Sequence, residues 1–246
     1  SIKDNKLTNI DALASLNALK FCYLDSNKIT SLLPLNGLHN LSILTANSNL
    51  IADMPVLQCS SLSRLELCRN RITTIPAYSL RYLPNLTHLN MSSNQINTVC
   101  GETLSMCSLL QTLIFSENHL TCVPAPLRLP LLRNLRLNMN RIENVDAWVH
   151  KGGVDGGNGD SSTGTSGSST GGGSGSANTY PLFTPSLQKL TMSDNHITSL
   201  HPSVFAMLPL LEELDLSFNT LPTRETVCGI VHCKLLTALH IQDNVF

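Results

Sequence analysis

The strongest constraint on this chain is an eleven-residue phrase that recurs along it. Its clearest copy is LEELDLSFNTL, in which Leu211, Leu214, Leu216, Asn219 and Leu221 fit the pattern LxxLxLxxNxL. Leu214 and Leu216 alternate with Asp215, the period of a strand with one buried face. Asn219 then ends the strand, where an amide side chain can bond backbone groups and hold a turn. Nine copies are present, preceded by a fragment at Ile2, Asn5, Leu7 and Ile10. Their asparagines lie 22, 22, 21, 24, 24, 22, 55, 24 and 25 residues apart. Units this short touch only their neighbours, so their apolar positions must form one continuous core in a quasi-one-dimensional stack.

On these residues the chain resembles the leucine-rich repeat family over nearly all of its length, one insert excepted. The 24-residue copies, such as Pro76 to Leu86 with Leu80 and Leu83, resemble the family's typical class, and the 22-residue copies its shorter class. The resemblance implies an α/β solenoid shaped as a curved horseshoe. A parallel β-sheet would line the concave face, short helical or extended returns the convex face, and the asparagines would form a ladder. Strands stack about 4.8 Å apart, whereas a helical return is roughly 10 Å wide, so the stack must bend toward its strands.

Three stretches follow. Repeats occupy residues 1–151 and resume over 180–246, and a Gly/Ser/Thr tract over 152–179 separates them. The tract holds 11 of the 14 glycines and cannot bury a core, so a flexible loop is expected on the return side with the strand ladder continuing beneath it. Two departures put local register in question. Arg224 stands where other copies place Ile10, Leu32 or Val99, and Thr184 replaces the usual apolar residue before the seventh strand. The chain also starts and stops inside a phrase, as an excerpt of a longer protein with uncapped ends would.

The formal net charge of −1 gives no electrostatic case for nucleic acid or an anionic membrane. No apolar run approaches the roughly 18 residues that span a bilayer. Of the eight cysteines, Cys22 replaces a core leucine, and Cys59, Cys107 and Cys233 hold a position that Leu16, Leu38, Leu83 and Leu208 hold elsewhere. Four thiols thus act as small hydrophobes. Together with the lack of a visible cysteine-rich cap, this predicts a reducing, intracellular and cytoplasmic setting. Asn40, Asn85 and Asn90 begin glycosylation sequons, but a chain this rich in Asn, Ser and Thr carries that many by composition alone.

No catalytic constellation emerges. The Gly156–Asp160 stretch is misspaced for a calcium turn, and no GxGxxG or GK[ST] sits between a strand and a helix. There is no HExxH and no GxSxG. Cys228, His232 and Cys233 fall one short of a zinc set, and Cys233 already has a core role. The expectation is a protein that is not an enzyme and holds no metal or cofactor.

What remains is the concave surface. The resemblance implies that the positions flanking the second leucine of each phrase face solvent. Phe21, Tyr23 and Ile43 would form an aromatic and aliphatic cluster, either a binding anchor or a patch covered by an N-terminal neighbour. Arg64, Arg69, Arg133 and Arg136 would supply a basic middle, and Glu213 and Asp215 an acidic end. Glu66, His88, Asn90, Ile114, Lys189 and His240 complete the candidate set. Mixed charge suits protein partners. The function expected is a non-catalytic scaffold binding a protein on this face. The alternatives are a regulatory or targeting region of a larger enzyme and an extracellular receptor ectodomain.

Overall fold

The computed structural model describes residues 1–149 and 182–246, so the expected loop and the Gly156–Asp160 stretch lie outside the described residues. Every full copy of the phrase contributes one three-residue strand. These are β1 (Phe21–Tyr23), β2 (Ile43–Thr45), β3 (Arg64–Glu66), β4 (His88–Asn90) and β5 (Thr112–Ile114). After a short return strand, β6 (Leu127–Arg128), comes β7 (Asn134–Arg136); a second return strand, β8 (Leu182–Phe183), precedes β9 (Lys189–Thr191). The series ends with β10 (Glu213–Asp215) and β11 (Ala238–His240). Nine strands form one parallel sheet in the order β1-β2-β3-β4-β5-β7-β9-β10-β11, and β6 pairs with β8 on the return side. The ladder passes from Asn134↔Lys189 to Arg136↔Thr191 without a slip in register.

In β1 to β5, β7, β9 and β10 the middle residue is buried, whereas Leu239 of β11 is 42% exposed. Leu44, Leu65, Leu89, Leu113, Leu135, Leu190 and Leu214 are all fully buried. Each contributes about 2 kcal/mol by leaving water, and the core they form runs from coil to coil. Cys22, Cys59, Cys107 and Cys233 join it. Burial pushes the Cys22 thiol up to about 11 and the Cys107 thiol to about 12, so both stay protonated and unreactive. Leu16, by contrast, is 45% exposed, on the first return turn, which among the described residues is covered on one side only.

The asparagines form the expected ladder. Asn49 takes the Ile29 N–H on its Oδ1 at 3.0 Å and donates from Nδ2 to Leu24 O at 3.0 Å and Ala46 O at 3.2 Å. Asn70, Asn94, Asn118, Asn140, Asn195 and Asn219 repeat the pattern. The residue before each asparagine is left-handed, from Ser26 (φ 56) to Asp243 (φ 55). Its N–H thereby reaches the next coil, as when Met139 N donates to Ser193 O at 2.9 Å.

Returns on the far side are short. They comprise 3-10 turns at Asp11–Leu13, Leu33–Leu35 and Asp146–Trp148, and the helices α1 (Gly101–Ser105) and α2 (Pro202–Ala206). The two departures resolve without disturbing the ladder. Arg224 opens a nine-residue 3-10 run, Arg224–His232, which turns its side chain into solvent. Thr184 is buried with its hydroxyl unbonded, a polar cost absorbed locally, since β9 and β10 stay in register. Among the described residues no helix is long and apolar enough to cross a membrane.

Candidate functional site: the strand face

Because side chains alternate across a strand, burying the middle leucine sends both of its neighbours outward. Register then lines them up as two rows. One runs Phe21, Ile43, Arg64, His88, Thr112, Asn134, Lys189, Glu213, Ala238, and the other Tyr23, Thr45, Glu66, Asn90, Ile114, Arg136, Thr191, Asp215, His240.

At the first end, Phe21 is 52% exposed beside the half-buried Ile43. The N-terminal fragment covers only the other row. Ile2 N donates to Tyr23 O at 3.0 Å, and Lys3 lies 5.0 Å over the Tyr23 ring. Lys3 also pairs with Asp25 at 2.6 Å. Burial pushes the Asp25 carboxyl up, but Lys3, the Thr45 hydroxyl and the Asn47 N–H together hold it below the ordinary range. These contacts make Asp25 a brace for the first coils.

The expected basic middle does not assemble as one patch. Arg64 Nε donates to Glu66 Oε1 at 2.6 Å, and its guanidinium also pairs with that carboxylate. Glu66 further meets His88 Nε2 at 3.6 Å and Asn47 Nδ2 at 3.1 Å. Arg69 occupies a left-handed turn past the C-terminal end of β3, and Arg133 sits exposed just before the N-terminal end of β7, so the two lie at opposite strand ends. Lys189 and Glu213 pair at 2.6 Å. Asp215 is held by the Ser217 N–H and hydroxyl at 3.0 and 2.6 Å. His240 is exposed on β11, at the far edge of the sheet.

Arg136 differs. Its hydrogen bond among the described residues is to Asn134 Oδ1, at 3.3 Å, and no carboxylate there pairs with it. It borders a recess of about 350 Å³ formed with Asn90, Ile114, Asn138 and Met139. Asn138 Oδ1 is buried and has no hydrogen-bond partner among the described residues, and Met139 is 53% exposed. Glu117, Ser92, Ser116 and Ser193 complete its lining, so the recess presents a cation and a carboxylate among mixed polar and apolar side chains. Met139 and Asn138 escape a reading of strand positions alone. For Met139 the signal is its place as the left-handed residue before a ladder asparagine, which throws its side chain onto the rim.

The Cys228, His232 and Cys233 set does not converge. Cys233 is buried with its thiol on Phe205 O at 3.7 Å, whereas Cys228 and His232 are exposed. Among the described residues, no three His, Cys, Asp or Glu side chains gather as metal ligands.

His88 links the two halves of the face. Burial holds its imidazole below the ordinary range; Arg64 and Arg136 add to this and Glu66 opposes it. The unfolded chain therefore binds a proton more readily, and stability rises with pH. As pH falls from about 6.5 through the lower folded value, stability should be lost, and His88→Gln should flatten that part of a urea-midpoint against pH curve. An unchanged slope would show that His88 is not the titrating group.

A stack of strand, asparagine turn and short return at this period defines a class, the leucine-rich-repeat solenoids. The leucine rich repeat family model matches residues 60–120 and 185–246, half of the sequence, and the chain belongs to the leucine-rich repeat family. Podocan of Mus musculus is 34% identical over 137 residues, which cover 53% of this chain and 22% of podocan. Lumican of Rattus norvegicus is 29% identical over 150 residues, covering 59% of this chain and 44% of lumican. The chain thus spans less than half the length of these relatives. Among solved structures, the octameric complex of latrophilin 3, Unc5D and the FLRT2 leucine-rich repeats matches 97% of this chain and 68% of the matched chain. Its TM-score is 0.75 at 21% identity, a likeness of fold.

The intracellular, cytoplasmic assignment does not stand, because podocan and lumican are extracellular matrix proteins. The physical reason for the error is that thiols buried as small hydrophobes stay inert in either redox setting. Cys22, Cys59, Cys107 and Cys233 therefore carry no information about compartment.

Proposed function

We propose that this chain is an extracellular, non-catalytic recognition module that binds a protein partner across its strand face. One observation carries the reading: an unbroken nine-stranded sheet presents an exposed aromatic, Phe21, at one end and, beside a recess at its middle, an arginine, Arg136, that pairs with no carboxylate among the described residues. Exposed aromatics and arginines on a rigid platform are the residues that dominate protein interfaces. The ion pairs Arg64–Glu66 and Lys189–Glu213 are already satisfied within the face, so they shape the surface and add little attraction of their own. The extracellular relatives and the multiprotein complex containing the FLRT2 repeats favour a receptor or matrix setting over a regulatory segment of an enzyme.

The test is a binding screen of the secreted chain against a panel of ectodomains and matrix proteins, repeated with Phe21→Asp/Arg136→Glu. Circular dichroism establishes equal folding. Loss of both anchors, one at the end of the sheet and one at its middle, should weaken a true partner about 100-fold or more. Equal binding by both proteins would overturn the assignment of these residues.

A further inference from the structure

We propose that Asn40 and Asn85 carry N-linked glycans that cover one flank of the solenoid and leave the strand face open. The inference rests on the extracellular reading above. The three sequons, uninformative as a count, differ in where the fold puts them. Asn40-Leu41-Ser42 and Asn85-Leu86-Thr87 occupy the same place in their repeats. In each, the acceptor is exposed and the next residue, Leu41 or Leu86, is fully buried, so the asparagine stands on a fixed turn before its strand. Asn40 Nδ2 donates to Asn17 O at 2.8 Å, and Asn85 Nδ2 donates to Ser60 O at 2.8 Å. An amide nitrogen carries two hydrogens. One is held by the preceding coil, and the other is available for replacement.

A second observation marks the same flank. A shallow hollow of about 300 Å³ is lined by His39, Gln58, Ser60, Arg81, Tyr82 and Pro84. His39 and Pro84 are the residues directly before the two acceptors. Tyr82 is exposed there, with Arg81 stacked on its ring at 4.7 Å. An aromatic face beside a glycosylated asparagine gives the sugar rings an apolar surface to cover. Asn40 and Asn85 belong to coils two apart, about 10 Å along the stack, so the hollow lies between the two attachment points.

Asn90 is placed differently. It is half-buried on β4, in register with Glu66 and Ile114. Its Oδ1 accepts from the Ser92 N–H and the Ser92 hydroxyl, the hydroxyl of its own sequon. A sugar there would lie over the recess beside Arg136. The attachment joins C1 of the first sugar to Nδ2. The donor is a lipid-pyrophosphate-linked oligosaccharide; the amide gives up one hydrogen as a proton, and the lipid pyrophosphate leaves. With the flank covered, a partner approaches the strand face from above or from the opposite edge, where Met139 and Phe218 project.

The full chain is expressed behind a secretion signal in mammalian cells, and both medium and cell fractions are treated with peptide-N-glycosidase. Two mobility steps are expected. Asn40→Gln and Asn85→Gln should each remove one, and Asn90→Gln none, with deamidated peptides mapping to 40 and 85. Attachment occurs before secretion, so the cell fraction reports on it even if the chain is retained. Retention with both glycans present would count against the extracellular reading and support the sites. A chain unchanged by the enzyme in both fractions would overturn the sites. A glycan at Asn90 would overturn the open strand face.

Discussion

Asn118→Ala is expected to lower the unfolding free energy by about 2 kcal/mol, the cost of stranding a buried backbone donor. Asn118 is 4% exposed. Its Oδ1 is the acceptor for Ile96 N–H at 3.0 Å, and its Nδ2 reaches Met91 O and Phe115 O, each at 3.0 Å. Alanine leaves the Ile96 donor without its side-chain acceptor in a buried place, whereas Met91 O and Phe115 O each keep a second amide, from Asn94 and Asn140 at 3.0 Å. Asn118→Asp sharpens the test. It keeps an acceptor for Ile96 but sets a carboxylate against those carbonyls, and should be at least as destabilising. His119→Ala, at the exposed neighbour, should stay within about 0.5 kcal/mol of the parent. Urea denaturation reads all three. Because coils couple only to neighbours, the alanine variant should also show a broader transition as the two halves of the stack separate. A midpoint equal to the parent's would mean that the ladder is an ornament of the turn and not its support.

The same logic explains what could be read from the residues. Each coil meets an identical neighbour, so the position of an asparagine or leucine in the phrase fixes its environment. That is why the ladder, the inward leucines and the two outward rows were all legible. Even Arg64–Glu66 was within reach, since residues two apart on a strand share a face. Other features depend on what faces a residue across coils. Arg224 breaks the apolar pattern, yet the 3-10 run Arg224–His232 carries it outward and packs Gly229 against Pro202, where an added Cβ would lie 2.6 Å from the Pro202 Cα. The left-handed residues before each asparagine include Arg69, Met139 and Phe218. No glycine marks that turn, because the asparagine ladder and the N–H bond to the next coil hold it. The recess beside Arg136 is therefore invisible to a reading that looks only at strand positions.

Gly101→Ala should cost about 3 kcal/mol, at the upper end of what overpacking usually does. In the phrase this glycine looks incidental, but it begins α1 where the return of one coil leans on the next. An added Cβ would sit 2.0 Å from Pro126 O, 2.6 Å from Pro126 C and 2.8 Å from Ala125 C. All three are backbone atoms, so no side chain can rotate away, and α1 and the segment leading to β6 must part. Gly101 N also donates to Ala125 O at 3.3 Å, a bond that the separation would lengthen. Gly37 supplies the contrast. Its φ is +83°, with nothing within 4 Å of an added Cβ, so Gly37→Ala meets only the left-handed backbone cost of about 1 kcal/mol. Thermal unfolding should rank Gly101→Ala well below Gly37→Ala, and equal midpoints would refute the close approach. The front of the molecule should be spared. Ile114 and Arg136 stand on β5 and β7, which stay paired through their own ladder. Below its unfolding temperature, Gly101→Ala should therefore keep its affinity for a strand-face partner while losing stability, the reverse of what Arg136→Glu should do.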